Sequence, residues 1–206
     1  MPQSNMFKTP KYKRGITLKD NGNTDASVVR RSAFAIADRL PDFSFRNPVA
    51  EDAQAIHDLI AACPPLDTNS LYCNLLQCTH FAETCVLAER DGEISGWISG
   101  YRLVHDPEAM FVWQVAVHER ARGQGLGVAM LNALFQFPAV FDAVRLVTTV
   151  TPSNRGSRKM FANFARQQGL DLEIRPCFDR ERHLGGAHES EELISIGPLD
   201  TASLTF

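Results

Sequence analysis

Six consecutive residues, Arg122-Gly123-Gln124-Gly125-Leu126-Gly127, form the run of this sequence best suited to chemistry. Glycines at 123, 125 and 127 free the backbone to bend and gather several main-chain N–H groups toward one point. An apolar run follows at once, so those groups sit at the positive end of a helix, where an anion such as a pyrophosphate is favoured. Arg122 adds charge to the same place. Two familiar phosphate loops do not fit. A Walker loop needs Gly-Lys followed by Ser or Thr, and Leu126-Gly127-Val128 has neither. The dinucleotide fingerprint needs a glycine three residues after Gly125, where Val128 stands. A glycine-rich turn with no ligand is the alternative that the triplet alone leaves open.

The five cysteines, at 63, 73, 78, 85 and 177, are the other group that could do chemistry. Four of them lie near His80, but none is in the close pairs that zinc sites use. Their number is odd and no apolar secretory segment precedes them, so they are expected to be buried thiols, with no metal.

These residues need elements to position them. Ser44-Phe45-Arg46 reads as a short strand, and 51–62 as a helix with Ile56, Leu59, Ile60 and Cys63 at helical spacing. Pro64-Pro65 ends it, and Asn69 or Ser70 caps a second short helix carrying Leu71, Leu75 and Leu76. Strands are expected over 84–90 and 93–103 around an Asp91-Gly92 turn. A further strand puts Phe111, Trp113, Val115 and Val117 on one face, with Val112, Gln114 and Ala116 on the other. The glycine loop then leads into a helix over 126–137. A strand through Val144, Leu146, Thr148 and Val150 and a helix from Asn154 to Gln168 follow, with Gly169 as C-cap. Segments 170–175 and 193–196 read as a closing hairpin with a long connection bearing His188 and Glu191. The whole is an α/β domain, a mixed sheet around one core.

Composition agrees. The chain has 206 residues, 44% of them hydrophobic and 22% charged, as in ordinary soluble domains. No apolar run reaches the roughly 18–20 residues that span a bilayer, so no membrane role and a cytoplasmic location are expected. Residues 1–40 hold eight Lys or Arg and three Asp, about five positive charges, which leaves about -8 of the net -3 for the remainder. The basic part, 1–42, is expected to be a disordered extension, with 43–197 the folded domain and 198–206 a tail. An acidic domain suits a small cation better than a nucleic acid, so no nucleic-acid partner is expected.

Arg122-x-x-Gly125-x-Gly127 after a Val-x-Val strand resembles the coenzyme-binding signature of the Gcn5-related N-acetyltransferase superfamily (GNAT). The resemblance covers about residues 43–197, and implies a mostly antiparallel sheet with helices on both faces and acetyl-CoA as co-substrate. It also implies that the backbones of Val115 and Val117 hold the pantetheine arm. The pyrophosphate would rest on Arg122, Gly123, Gln124, Gly125, Leu126 and Gly127, and Asn154 and Ser157 would meet the coenzyme arm. Many members carry a tyrosine seven residues after that asparagine to protonate the leaving thiolate. This sequence has Phe161 there, so that role does not transfer.

Further blocks, among them Pro65-Leu66-Asp67-Thr68-Asn69-Ser70, Phe111-Val112-Trp113-Gln114 and His188-Glu189-Ser190-Glu191, resemble the L-2,4-diaminobutyrate acetyltransferases of ectoine biosynthesis. That likeness implies transfer of acetyl to the γ-amine of L-2,4-diaminobutyrate in a bacterium, and a homodimer. Such a dication needs carboxylates. Asp67 is a substrate-binding and proton-accepting candidate, although a loop aspartate also caps helices. Trp113 would face a cation at the acyl end of its strand, or belong to the core. Glu191 is the candidate base with His188 assisting, and Tyr72 a further substrate contact. Sequence does not choose between Glu191 and Asp67 as base. Another small-amine acceptor, or an acyl-CoA-binding sensor without turnover, are the rival readings.

Overall fold

The computed structural model describes residues 40–199. The expected extension, but for positions 40–42, and the tail beyond 199 lie outside the described residues. Leu199 is buried in the main core, so the packed chain runs two residues past 197.

The chain begins with β1 (Ser44–Arg46), a 3-10 turn (Ala50–Asp52), α1 (Ala53–Ala61) and α2 (Leu71–Thr79). Ser70 is the cap of α2, its side chain accepting from Cys73 N at 3.1 Å. Arg46 ties this start together by ion pairs to Asp52 at 2.7 Å and Glu89 at 2.5 Å. The Arg46 hydrogen bonds hold the Asp52 carboxyl below its ordinary range. A meander of β2 (Val86–Arg90), β3 (Glu93–Leu103) and β4 (Asp106–Val117) follows. A turn at Val104-His105 is all that separates β3 from β4, and β4 starts at Asp106 despite Pro107, so the two form one long hairpin. After α3 (Leu126–Leu134), β5 (Arg145–Val150) and α4 (Arg155–Gln168), the chain ends in β6 (Leu172–Phe178), a helical turn α5 (Arg180–His183) and β7 (Glu191–Ile196).

The seven strands form one sheet in the order β1-β2-β3-β4-β5-β7-β6. Every pairing is antiparallel except β4 with β5. Alternation along the strands sends side chains to two cores. Val86, Ile98, Met110, Val112, Leu146, Ile194 and Ile196 face α3 and α4, whereas Leu87, Trp97 and Ala116 face α1 and α2. Helices on both faces with a mostly antiparallel sheet is the architecture expected above.

The expected face of β4 is corrected. Ser99 pairs with Gln114 but Gly100 pairs with Val112, which leaves Trp113 as the extra residue of a β-bulge. One extra residue reverses the alternation beyond it. Val112, Val115 and Val117 therefore pack against the same core, while Gln114 and Ala116 turn toward the α1 side.

A Cβ at Gly100, opposite the bulge, would lie 2.5 Å from the Phe111 carbonyl oxygen, a backbone atom held by the ladder. Gly100→Ala is expected to lower stability by about 1–3 kcal/mol, read from urea unfolding midpoints. An unchanged midpoint would show that the hairpin relaxes without cost.

Candidate active site

Pairing of β4 with β5 covers three residues, Ala109, Met110 and Phe111 against Arg145, Leu146 and Val147. Beyond them the strands part. Thr148 Oγ1 donates to Val112 O at 2.8 Å and closes the root of the gap. On the other edge of β4, His118 N donates to Ser95 O at 2.9 Å. By the two-residue alternation of an antiparallel ladder, the main-chain groups of Val115 and Val117 therefore point away from β3, toward the gap. Val117 O is already an acceptor, for Arg122 Nε at 3.0 Å and the Cys63 thiol at 3.4 Å.

The gap leads to the glycine loop. Gly123 and Gly125 have φ of 76° and 87°, left-handed values that favour glycine, and Gly125 is the N-cap of α3. Among the described residues, the main-chain N–H groups of 123–127 have no acceptor. They are free for an anion at the helix N-terminus. Gly127 has a different reason to be glycine. It is already helical and buried, and an added Cβ would lie 2.4 Å from Met160 Sδ, so it sets the approach of α3 to α4. Gln124 folds its side chain onto Arg120 O at 2.8 Å, and Leu126 is buried in the core. The side chains of both are thus engaged within the protein, and only their main-chain N–H groups stand open at the loop. Asn154 Oδ1 accepts from Ser157 N at 3.0 Å and caps α4. This leaves the Asn154 Nδ2 donor unused within the described residues.

An open cleft of about 1240 Å³ occupies the gap, larger than the roughly 300–1,000 Å³ of a single small-ligand site. Asp67, Trp113, Val115, Asn154, Ser157, His188 and Glu191 all line it. Tyr72 and the loop 122–127 do not, and Tyr72 is 67% exposed on α2. Trp113, the bulge residue, is 46% exposed and meets the ring of Tyr101 edge-on at 6.4 Å. A core position for this tryptophan is thereby excluded. Glu191 was expected in a connection, but it is the first residue of β7. Strand alternation puts Glu191, Leu193 and Ser195 on the cleft, with Ile194 and Ile196 in the core. Its neighbour Glu192 instead forms an ion pair with Arg158 of α4.

The connection before β7 is ordered by its own bonds. Asp179 caps α5, accepting from Glu181 N and Arg182 N at 3.0 and 2.9 Å, and Ser190 Oγ accepts from Arg180 N at 2.9 Å. His188 stands at the exposed rim that results.

Thiols contribute little. Burial pushes Cys85 up to about 12 and Cys78 to about 11, and both are core residues. Cys177 does line the cleft, and burial, then the charge of Glu191, raises its thiol too. A protonated thiol is a poor nucleophile. Among the described residues no group of three or more His, Cys, Asp and Glu is placed to hold a metal ion, and no helix is long and apolar enough to cross a membrane. Phe161 is buried at the cleft wall and offers no proton.

Sequence reasoning missed several lining residues, among them Tyr101, Gln114, Arg145 and Arg175. Arg145 is held by Asp106, whereas Arg175 has no ion-pair partner among the described residues. Only the bulge and the strand order bring these residues together, so no local sequence signal marks them.

Residues 53–165 match the model of the acetyltransferase (GNAT) family. The L-2,4-diaminobutyric acid acetyltransferase of Methylotuvimicrobium alcaliphilum is 45% identical over 159 residues, 77% of this chain and 92% of that protein. The enzyme of the same name from Bordetella parapertussis is 46% identical over 157 residues, 76% of this chain and 84% of that one. Among solved structures, diaminobutyrate acetyltransferase EctA from Paenibacillus lautus, in complex with L-2,4-diaminobutyric acid and coenzyme A, is 38% identical. It superposes with a TM-score of 0.73 over 76% of this chain and 95% of that one. A continuous likeness over the described domain, together with an anion loop and a cleft at parted strands, places this chain in the acetyltransferase (GNAT) family, alongside the L-2,4-diaminobutyric acid acetyltransferases.

Proposed function

We propose that the protein transfers the acetyl group of acetyl-CoA to the γ-amine of L-2,4-diaminobutyrate, giving Nγ-acetyl-L-2,4-diaminobutyrate in ectoine biosynthesis. The observation that carries this reading is one continuous cleft at the β4/β5 gap, which has Trp113, the Asp67 loop and Glu191 on its walls. The likeness to the diaminobutyrate enzymes supports the choice of amine.

In this reading the N–H groups of 123–127, with Arg122, hold the pyrophosphate. Asn154 and Ser157 meet the arm, and the free edge of β4 at Val115 and Val117 pairs with the pantetheine. The main chain of β4 then polarises the thioester carbonyl, and binding in one cleft supplies orientation. Asp67 and the Trp113 ring receive the ammonium groups. Glu191, with His188 near the rim, accepts the proton that the γ-amine must lose. Nitrogen attacks the carbonyl carbon directly, the carbon–sulfur bond breaks, and coenzyme A leaves as thiolate. With a thiol pKa near about 8.5, that departure needs no tyrosine at the Phe161 position. The raised thiol of Cys177 makes an acyl-cysteine route unfavourable. We read the enzyme as a cytoplasmic homodimer; exposed Leu71, Tyr72 and Leu75 on α2 give apolar surface for self-association.

An acceptor panel of diaminobutyrate, ornithine, lysine and spermidine, read by free-thiol release with the acetylated nitrogen located by NMR, tests the assignment. Preference for the γ-amine of diaminobutyrate is expected, and equal rates across the panel would defeat it. Tight acetyl-CoA binding with no turnover would favour the sensor reading.

Variants should separate donor from acceptor. Glu191→Ala is expected to lower kcat by about 100-fold or more, the usual loss of a general base. Asp67→Ala should raise the acceptor KM by about tenfold, as for a lost charged hydrogen bond. Both should leave acetyl-CoA binding intact by calorimetry, and loss of that binding would misplace the residue. Gly125→Val should do the reverse, since its φ of 87° disfavours a branched side chain. The acetyl-CoA KM then rises while the protein stays folded.

A further inference from the structure

Gln114 joins the two halves of the acceptor side. It lies one residue past the Trp113 bulge, turned to the α1 side of the sheet. Its Nε2 donates to Asp67 O at 2.9 Å, and its Oε1 accepts from Asn69 Nδ2 at 3.2 Å. A carbonyl oxygen only accepts, so the contact to Asp67 fixes which way the Gln114 amide faces. The loop between α1 and α2 is otherwise tied down lightly. Asp67 and Thr68 are exposed, and Leu66, N-terminal to them, is their anchor in the α1 core. Both polar ends of one side chain thus fasten the segment bearing Asp67 to the strand bearing Trp113.

We propose that Gln114, with Asn69, is a positioning and specificity-determining pair. It sets the separation between the Asp67 carboxylate and the acyl end of β4, and so selects the length of the diamine. Diaminobutyrate carries its two amines two carbons apart, and ornithine carries them three apart. A loop free to shift by a bond length or two would accept either. Held by two hydrogen bonds, it accepts the shorter. This rests on the diaminobutyrate reading above.

Gln114→Glu tests it with little change of size, because it sets a carboxylate oxygen against Asp67 O where a donor stood. The acceptor KM is expected to rise about tenfold, the upper end of what one lost hydrogen bond costs. The preference for diaminobutyrate over ornithine, as a ratio of kcat/KM, should fall by a similar factor, while acetyl-CoA affinity stays within about twofold. Asn69→Ala should show the same split in smaller size. The double variant should cost clearly less than the sum of the two single variants, because the pair acts as one unit, and simple additivity would count against the inference. Should Gln114→Glu fail to fold, Asn69→Ala carries the test alone. Unchanged selectivity, or an equal rise in both KM values with a lowered Tm, overturns the inference. Wild-type protein that does not acetylate diaminobutyrate overturns the functional reading, and the inference with it.

Discussion

Parallel strands β4 and β5 stay paired for three residues and then diverge, and the working part of the molecule is organised around that divergence. Each strand past the fork carries main-chain N–H and C=O groups that a closed sheet would have satisfied. Leaving such groups beside a cleft is costly unless a ligand or water takes them. The fork is closed at its root by Thr148, whose hydroxyl reaches Val112 O, and flanked by α3 and α4. Each of those helices follows one of the two diverging strands, so both helix N-termini come to the mouth of the fork. One brings the unpaired N–H groups of the glycine loop, the other the Asn154 cap. An acyl-coenzyme needs such a set: a slot for its arm and a positive helix end for its phosphates.

The bulge at Trp113 divides β4 into two functions. Before it, Met110 and Val112 are ordinary core residues. At it, the indole is released from the alternation and stands half exposed in the cleft. After it, Gln114 turns to the loop bearing Asp67 while Val115 turns to the core and its backbone to the fork. One inserted residue thus lets a single strand face the fork with its backbone and the Asp67 loop with a side chain. Gly100, opposite, admits the carbonyl of Phe111 at the distance the bulge demands.

Charge is distributed with the same division. Three paired carboxylates, Asp52 and Glu89 on Arg46 and Glu192 on Arg158, belong to the scaffold, whereas Asp106, paired with Arg145, stands on the cleft wall. Asp67 and Glu191 have no cationic side chain in an ion pair with them among the described residues, and both line the cleft. Adjacent Glu191 and Glu192 show how this is done: successive side chains of a strand face opposite sides, so one carboxylate is spent on α4 and the other kept for the cleft.

Much of this was legible in the residues themselves. Element order, the Ser70 and Asn154 caps, the Gly169 terminus and the glycine loop all rest on local chemistry: spacing, caps and backbone freedom act within a few residues. Tertiary structure decided the rest. Gly127 reads as part of an anion loop but is required by Met160, more than thirty positions away. Trp113 could be assigned to core or cleft until the bulge was placed, because a bulge belongs to a pair of strands and leaves no mark on one. Glu191 moved from a connection to a strand, where alternation gives its direction. Gln114 carried no signal at all, since its partners lie 45 and 47 positions back in the chain. Residue types alone determined which chemistry the protein could perform; contacts between distant segments decided which side chains face that chemistry, because direction in a sheet is set by pairing and not by spacing.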